Sequence, residues 1–108
     1  MSVEQAQRTV NQLNKDMASL DKKMAEKEKK EADKTNKIGT TQRSITKNTS
    51  ASMLKTKARQ IELYLKELVR VLSDKADINK KMADKRKKLS DATLKLQKEE
   101  STRTKNLY

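Results

Sequence analysis

The chain has 108 residues and a formal net charge of +12; 39% of its residues are charged, 32% are hydrophobic, and Cys, His, Pro, Phe and Trp do not occur. This length allows one domain at most, and so few large apolar side chains exclude a compact core that would offset the entropy of ordering. Without Cys and His, the chain has no disulfides, no zinc site of the usual kind and no catalysis by either residue.

The first predicted element is a long helix from about residue 2 to about residue 47. Ser2 and Gln5 have the spacing of a capping box, in which each side chain binds the backbone amide of the other residue. Beyond this start, apolar residues recur every seven positions, which is the period of a helix seam that packs on another helix. The series is Val3, Val10, Met17, Met24, Ile38 and Ile45, interrupted only by Glu31.

The turn is predicted at about residues 48–52, where Asn, Thr and Ser side chains compete with a helix for backbone hydrogen bonds. Thr49, Ser50 or Ser52 would then cap the next helix. Gly39 offers an alternative, a turn at residues 39–41, but that turn would leave residues beyond about 77 unpaired. Gly39 would otherwise bend or fray the first helix.

The second predicted helix runs from about residue 51 to about residue 103, followed by a frayed tail at 104–108. Its seven-residue series is Leu54, Ile61, Leu68, Met82, Leu89 and Leu96, interrupted only by Lys75. The companion seam positions are predicted to be Ala58, Leu65 and Leu72, and then to shift by one residue to Ile78, Lys85 and Ala92. This shift predicts a local change in supercoiling near residues 75–79.

The two apolar series mirror each other about the middle of the chain, so that Met17 falls opposite Met82. This symmetry predicts an all-α fold: an antiparallel helical hairpin, or two-helix coiled coil, formed by residues 1–108 as a single domain. Polar Glu31 and Lys75 at seam positions would set the register of the two helices at some cost in stability.

Apolar residues cluster around most of the helix circumference between residues 61 and 72. In the mirror register they lie opposite the most polar part of the first helix, so that helix would not cover them all. A patch of this kind on a polar chain predicts an oligomer interface, at which a second copy docks by two-fold symmetry into a four-helix layer. Alternatively, a bend at Gly39 lets the first helix cover the patch. The predicted interface residues are Ile61, Tyr64, Leu65, Leu68, Val69 and Leu72.

A basic cluster surrounds the predicted turn, because no acidic residue occurs between Asp33 and Glu62. A positive hairpin tip would attract nucleic acid, anionic lipid or an acidic protein. No aromatic residue within the cluster is placed to stack on bases, so a solvated basic surface is the competing interpretation. The candidate anion-binding residues are Lys34, Lys37, Arg43, Lys47, Lys55, Lys57 and Arg59.

The segment Ile45–Lys57 (ITKNTSASMLKTK), the following Gln60-Ile61-Glu62 and the run 80–88 resemble the N-terminal coiled-coil region of bacterial TIR-domain proteins. Members of that family carry a C-terminal TIR domain that cleaves NAD and act in antiphage defence. The TIR domain is not part of this sequence, so no catalytic residue is carried over. The resemblance implies an oligomerisation or regulatory arm, either as a piece of such a protein or as a relative that assembles with a separate effector.

These observations predict a non-enzyme without cofactor or metal. They favour a cytoplasmic scaffold that self-associates, because no apolar run approaches the roughly 20 residues that cross a bilayer and the N-terminus lacks the apolar core of a signal peptide. An anion-binding module acting through the hairpin tip is the alternative. A third interpretation is a secreted helical-hairpin protein, although the Trp-x-Gly turn of the best-known family of that type is absent.

Overall fold

The computed structural model describes residues 2–107, and the side chains of residues 2–105. The protein is all-α and folds as an antiparallel helical hairpin of two helices, α1 (Val3–Arg43) and α2 (Ala51–Leu107), with no strand among the described residues. Its contacts group into two compact units. We call Met1–Lys23 with Ile78–Tyr108 the terminal unit, and Met24–Asp77 the turn unit.

The helix ends differ from the predicted ones by a few residues. α1 ends at Arg43 rather than near residue 47, so the connection occupies residues 44–50 instead of 48–52. α2 continues through Leu107 and so extends into the tail predicted at 104–108, of which Tyr108 lies outside the described residues. Because α1 passes through Gly39 without a break, the alternative turn at residues 39–41 is wrong.

Polar side chains define both helix starts. The Ser2 amide donates to Gln5 Oε1 at 3.2 Å and the Gln5 amide donates to Ser2 Oγ at 3.1 Å, which is the predicted capping box. At the start of α2, the Met53 amide donates to Ser50 Oγ at 3.2 Å, so Ser50 is the cap among the three candidates.

The connection between the helices is held by hydrogen bonds between Ser or Thr side chains and the backbone. The Ser44 hydroxyl donates to the Thr41 carbonyl at 2.6 Å, where α1 ends. Within the turn, the Thr46 amide donates to Thr49 Oγ1 at 2.8 Å. Ser and Thr at these positions bind backbone groups that a continuing helix would have used.

The terminal unit has a narrow apolar core between antiparallel segments of α1 and α2. Leu13, Leu20 and Met82 are 6–8% exposed, and ion pairs lie beside this core. Asp16 pairs with Lys85 at 3.3 Å, and near the chain ends Glu4 pairs with Arg103 at 2.8 Å. The full set of buried residues in this unit is Ala6, Leu13, Leu20, Ile78, Met82 and Ala92.

The turn unit is much less apolar at its centre. Of residues 24–77, all of which are described, only Val71 is buried, with an exposed fraction of 7%. Met24 and Ile38 of α1 are half-buried, as are Ile61 and Leu68 of α2. Hydrophobic burial therefore contributes less to stability here than in the terminal unit.

The companion seam positions of α2 do not shift near residues 75–79, so the predicted change in supercoiling has no basis. Leu65 and Leu72, which were predicted to face α1, are each 46% exposed. Positions one residue earlier face α1 instead, and they continue every seven residues along α2. All members of this series are buried or half-buried: Lys57, Tyr64, Val71, Ile78, Lys85, Ala92 and Glu99.

Candidate protein-interaction face

Charged side chains replace apolar ones at the centre of the turn unit. Three ion pairs join α1 to α2 there: Lys27 with Asp74 (2.9 Å), Glu31 with Lys75 (2.5 Å) and Lys34 with Glu67 (2.6 Å). We call these three pairs the polar ladder. Their side chains are between 22% and 49% exposed, so solvent screens them less than it screens pairs on an open surface.

Glu31 and Lys75, the two residues that interrupt the apolar series, bind each other across the helix pair. The hydrogen bond from Lys75 to this carboxylate raises the pKa of Lys75 above its ordinary 10.5. The hydrogen bond from Lys27 lowers the pKa of Asp74 below its ordinary 3.8. Both shifts mean that the folded chain stabilises the charged form of each group.

Tyr64 lies beneath two Lys side chains of α1. The Nζ atoms of Lys34 and Lys37 are each 5.9 Å from the centroid of its ring, within the range of a cation–π contact. The hydrogen bond to Glu67 raises the pKa of Lys34, and Lys37 also pairs with Asp33 at 3.1 Å. Tyr64 is thus held against α1 rather than presented to a partner.

The structure divides the six predicted interface residues into two groups. Half-buried against α1 are Ile61, Tyr64 and Leu68. Exposed on the flank of α2 are Leu65 (46%), Val69 (66%) and Leu72 (46%). α1 therefore covers half of the predicted patch while it passes through Gly39 as a continuous helix, and the other half stays open.

The polar ladder explains this division. Glu67, Asp74 and Lys75 all lie on the side of α2 that faces α1, where they meet partners of opposite charge. The same rotation places Val71 inward and turns Leu72 outward, because neighbouring residues of a helix lie about 100° apart. Charge pairing thus decides which apolar residues α1 covers.

A continuous apolar stripe follows the uncovered flank of α2, at spacings of three, four and seven residues. We call it the open α2 face, and all of its members are exposed: Leu54, Ala58, Leu65, Val69, Leu72 and Ala76. Leu54, Ala58 and Ala76 were missed as interface residues. Leu54 and Ala58 were interpreted as part of the seam with α1, whereas Ala76 was not assigned, although it lies seven residues after Val69.

Exposed apolar residues elsewhere on the described chain do not form such a stripe. Leu94 (54%) is an isolated exposed residue of the terminal unit, and Leu63 (58%) projects from the side of α2 opposite the open α2 face. Scattered surface hydrophobics of this kind are ordinary, whereas a contiguous stripe marks an interaction site.

Several grooves lie along the surface of the helix pair. They are shallow and open to solvent, with volumes of about 230 to 460 Å³, and Lys and acidic side chains line them together. Among the described residues, no three acidic side chains are grouped so that they would hold a metal ion.

The seven candidate anion-binding residues also separate into groups. Lys34 and Lys37 pair with acidic side chains, and Lys57 Nζ donates to the Ser44 carbonyl at 2.9 Å. The remaining four make no ion pair within the described part of the chain, although the Arg43 guanidinium donates to Thr40 Oγ1 at 3.4 Å. We call these four the tip cations: Arg43, Lys47, Lys55 and Arg59.

Comparisons with protein-family models, with curated proteins and with solved structures found no match. Neither α1 nor α2 contains, over its described residues, an apolar stretch that would cross a membrane.

Proposed function

We propose that this chain is a non-catalytic coiled-coil scaffold that self-associates through the open α2 face. The observation that carries the proposal is the exposure of Leu65, Val69 and Leu72, at 46–66%, on one flank of a chain with a mean hydropathy of −1.09. Water contact with so much contiguous apolar surface is unfavourable, and a second copy would remove it.

The size of this face indicates a reversible association. Completing the burial of a half-exposed Leu or Val contributes about 1 kcal/mol, and four such residues in each copy give a gross gain of about 8 kcal/mol. The loss of translational and rotational freedom opposes this gain. Because about 8 kcal/mol before this cost corresponds to about 1 μM, and the cost is at least about 4 kcal/mol, we expect a weak dimer with a dissociation constant near the millimolar range.

Self-association would bring tethered or partner domains together. Linking domains through a scaffold raises their effective concentration without new catalytic chemistry. The resemblance to the coiled-coil region of bacterial TIR-domain proteins suggests an NAD-cleaving effector as the partner, with assembly in the cytoplasm during antiphage defence. The open α2 face supports the assembly step of this proposal, whereas the identity of the effector is inferred from the resemblance alone.

The double variant Leu65→Asp with Val69→Asp should be monomeric at concentrations at which the wild-type chain is dimeric. Both residues point away from α1, so the hairpin should keep its helix content while the buried carboxylates oppose docking. Light scattering over a concentration series from the micromolar to the millimolar range measures the mass. Leu63→Asp is the matched control, because it changes an exposed Leu of the same helix outside the face.

A wild-type chain that is monomeric throughout that series would contradict the proposal, as would a double variant with unchanged mass. Leu68 is unsuitable for this test because it is half-buried against α1, and its substitution would disturb the hairpin itself.

Anion binding through the tip cations is a second candidate function. Arg43, Lys47, Lys55 and Arg59 have no carboxylate partner among the described residues, so their charge is free to act on a ligand. Such binding would be electrostatic and independent of nucleotide sequence, because no aromatic side chain within this group is available for stacking on bases.

If this second function is real, a short DNA duplex should bind at about 50 mM salt and lose affinity steeply as salt increases. Replacing Lys47, Lys55 and Arg59 by Glu should abolish the binding, measured by fluorescence anisotropy. Replacing Lys22, Lys23 and Lys29, which lie outside the tip, is the control for net charge. Absence of wild-type binding at low salt would remove this function.

A further inference from the structure

We propose that the second copy docks antiparallel on α2, with the two-fold axis passing beside Leu65. This inference rests on the proposed self-association and adds its symmetry and register. A two-fold interface requires a surface that is complementary to itself, so that residue i contacts residue j and j contacts i. The order of residues along the open α2 face meets this requirement.

The spacing of the apolar positions is the same in both directions along α2 from Leu65. Together with half-buried Ile61, which borders the open α2 face, they follow one another at intervals of 4, 3, 4, 4, 3 and 4 residues. An antiparallel copy of α2 centred on Leu65 therefore places an apolar residue opposite every apolar residue. The series is Leu54, Ala58, Ile61, Leu65, Val69, Leu72 and Ala76.

Side-chain sizes are complementary in this register. Leu54 meets Ala76 of the second copy and Leu72 meets Ala58, so at these positions a large residue faces a small one. Nearer the axis, Ile61 meets Val69 and Leu65 meets itself. A parallel arrangement would instead oppose Ala58 to itself and leave a gap between the helices there. Close packing without voids favours the antiparallel arrangement.

Two pairs of opposite charges beside the open α2 face meet in the antiparallel register. Glu62 lies next to the position of Lys66 of the second copy, and Lys55 lies next to that of Asp77. The two-fold axis repeats both pairs, so this register brings four opposite-charge contacts to one flank of the face.

Glu62 and Lys66 are free to make these contacts. Within one copy they form an ion pair at 3.7 Å, with side chains that are 66% and 72% exposed, respectively, so the pair is only weakly held. Exchange of partners between copies would therefore direct orientation rather than contribute much affinity.

Single Cys variants test this register without interference, because the natural chain has no Cys. Under mild oxidation, Leu65→Cys should form a disulfide-linked dimer with itself. Ala58→Cys should not, since its own counterpart would lie 14 residues away along the antiparallel helices, about 21 Å and far beyond disulfide reach.

Ala58→Cys mixed with Leu72→Cys should cross-link, with a yield at least about tenfold above that of either variant alone. Leu63→Cys, outside the face, is the control for random collision. Self-linking of Ala58→Cys without mixed dimers would indicate parallel docking and overturn the inference.

Light scattering of the same samples separates the two proposals. Dimeric mass with the wrong cross-linking pattern rejects the register but leaves the scaffold proposal intact, whereas monomeric mass rejects both.

As a second test without cross-linking, Glu62→Lys should weaken dimerisation and the double variant Glu62→Lys with Lys66→Glu should restore it. Failure of the double variant to recover the dimer would also count against the register.

Discussion

Replacing Glu31 by Lys should lower the melting temperature of the hairpin by about 10 °C, more than any other single charge change in the helix pair. Glu31 is the acceptor for Lys75, and both side chains are largely shielded, at 34% and 23% exposed. The variant would leave Lys75 without a partner and add a cation close to Lys27 and Lys34. Thermal unfolding followed by circular dichroism at a fixed protein concentration measures the effect.

Two double variants serve as controls for this prediction. Exchanging the charges, with Glu31→Lys and Lys75→Glu, should recover most of the lost stability because the ion pair is restored in reverse. Replacing both residues by Leu should raise the melting temperature above wild type, since apolar residues avoid the desolvation penalty of a shielded ion pair. A Glu31→Lys variant that melts like wild type would show that the polar ladder does not stabilise the fold.

Acidification should destabilise the hairpin progressively as the pH falls below about 4. Hydrogen bonds lower the pKa of Asp74 and Asp16 below 3.8, and that of Glu4 below 4.5. A carboxyl whose pKa is lower in the folded state stabilises the fold above its unfolded pKa, and this contribution disappears as the pH falls through the folded pKa. The hydrogen-bond donors are Lys27 for Asp74, Gln12 for Asp16 and Arg103 for Glu4.

Net charge makes the acid transition steeper. Protonation of all 15 acidic residues leaves 27 Lys and Arg residues without compensation, and their mutual repulsion opposes the paired helices. The loss of stability with rising pH should be more gradual on the alkaline side. Lys34 and Lys75 have pKa values raised above 10.5, so their contribution is lost only as the pH rises through those values, while deprotonation of other Lys side chains relieves repulsion.

Melting temperatures measured from pH 2 to pH 8 at constant salt test this prediction. Asp74→Asn is the matched variant: it should be less stable than wild type at pH 7 and should lose less stability on acidification. An unchanged melting temperature down to pH 3 would mean that the interhelical carboxylates contribute nothing to folding.

Local sequence signals accounted for the helices and their starts. The Ser2 and Gln5 spacing correctly predicted a reciprocal cap, and the Ser- and Thr-rich segment correctly predicted the connection to within a few residues. Helix ends were less predictable, because Ser44 and Thr41 end α1 through a side-chain hydrogen bond that competes closely with one more helical turn.

The candidate interface was only half predictable. Between residues 61 and 74, α2 carries apolar residues at four of every seven positions, so two neighbouring flanks were equally plausible faces for α1. The series with Leu65 and Leu72 was assigned to the seam, while Tyr64 and Val71 actually occupy it. A periodic pattern defines a stripe but does not show which edge of a broad stripe the neighbour covers.

By itself, the seven-residue apolar period of this chain determined two long helices, and the Ser- and Thr-rich segment between two mirrored series indicated that they fold back antiparallel. The rotation of α2 about its own axis was decided by the tertiary structure alone. Lys75, Asp74 and Glu67 must face Glu31, Lys27 and Lys34 to avoid unpaired shielded charges, and this requirement turns Leu65, Val69 and Leu72 outward.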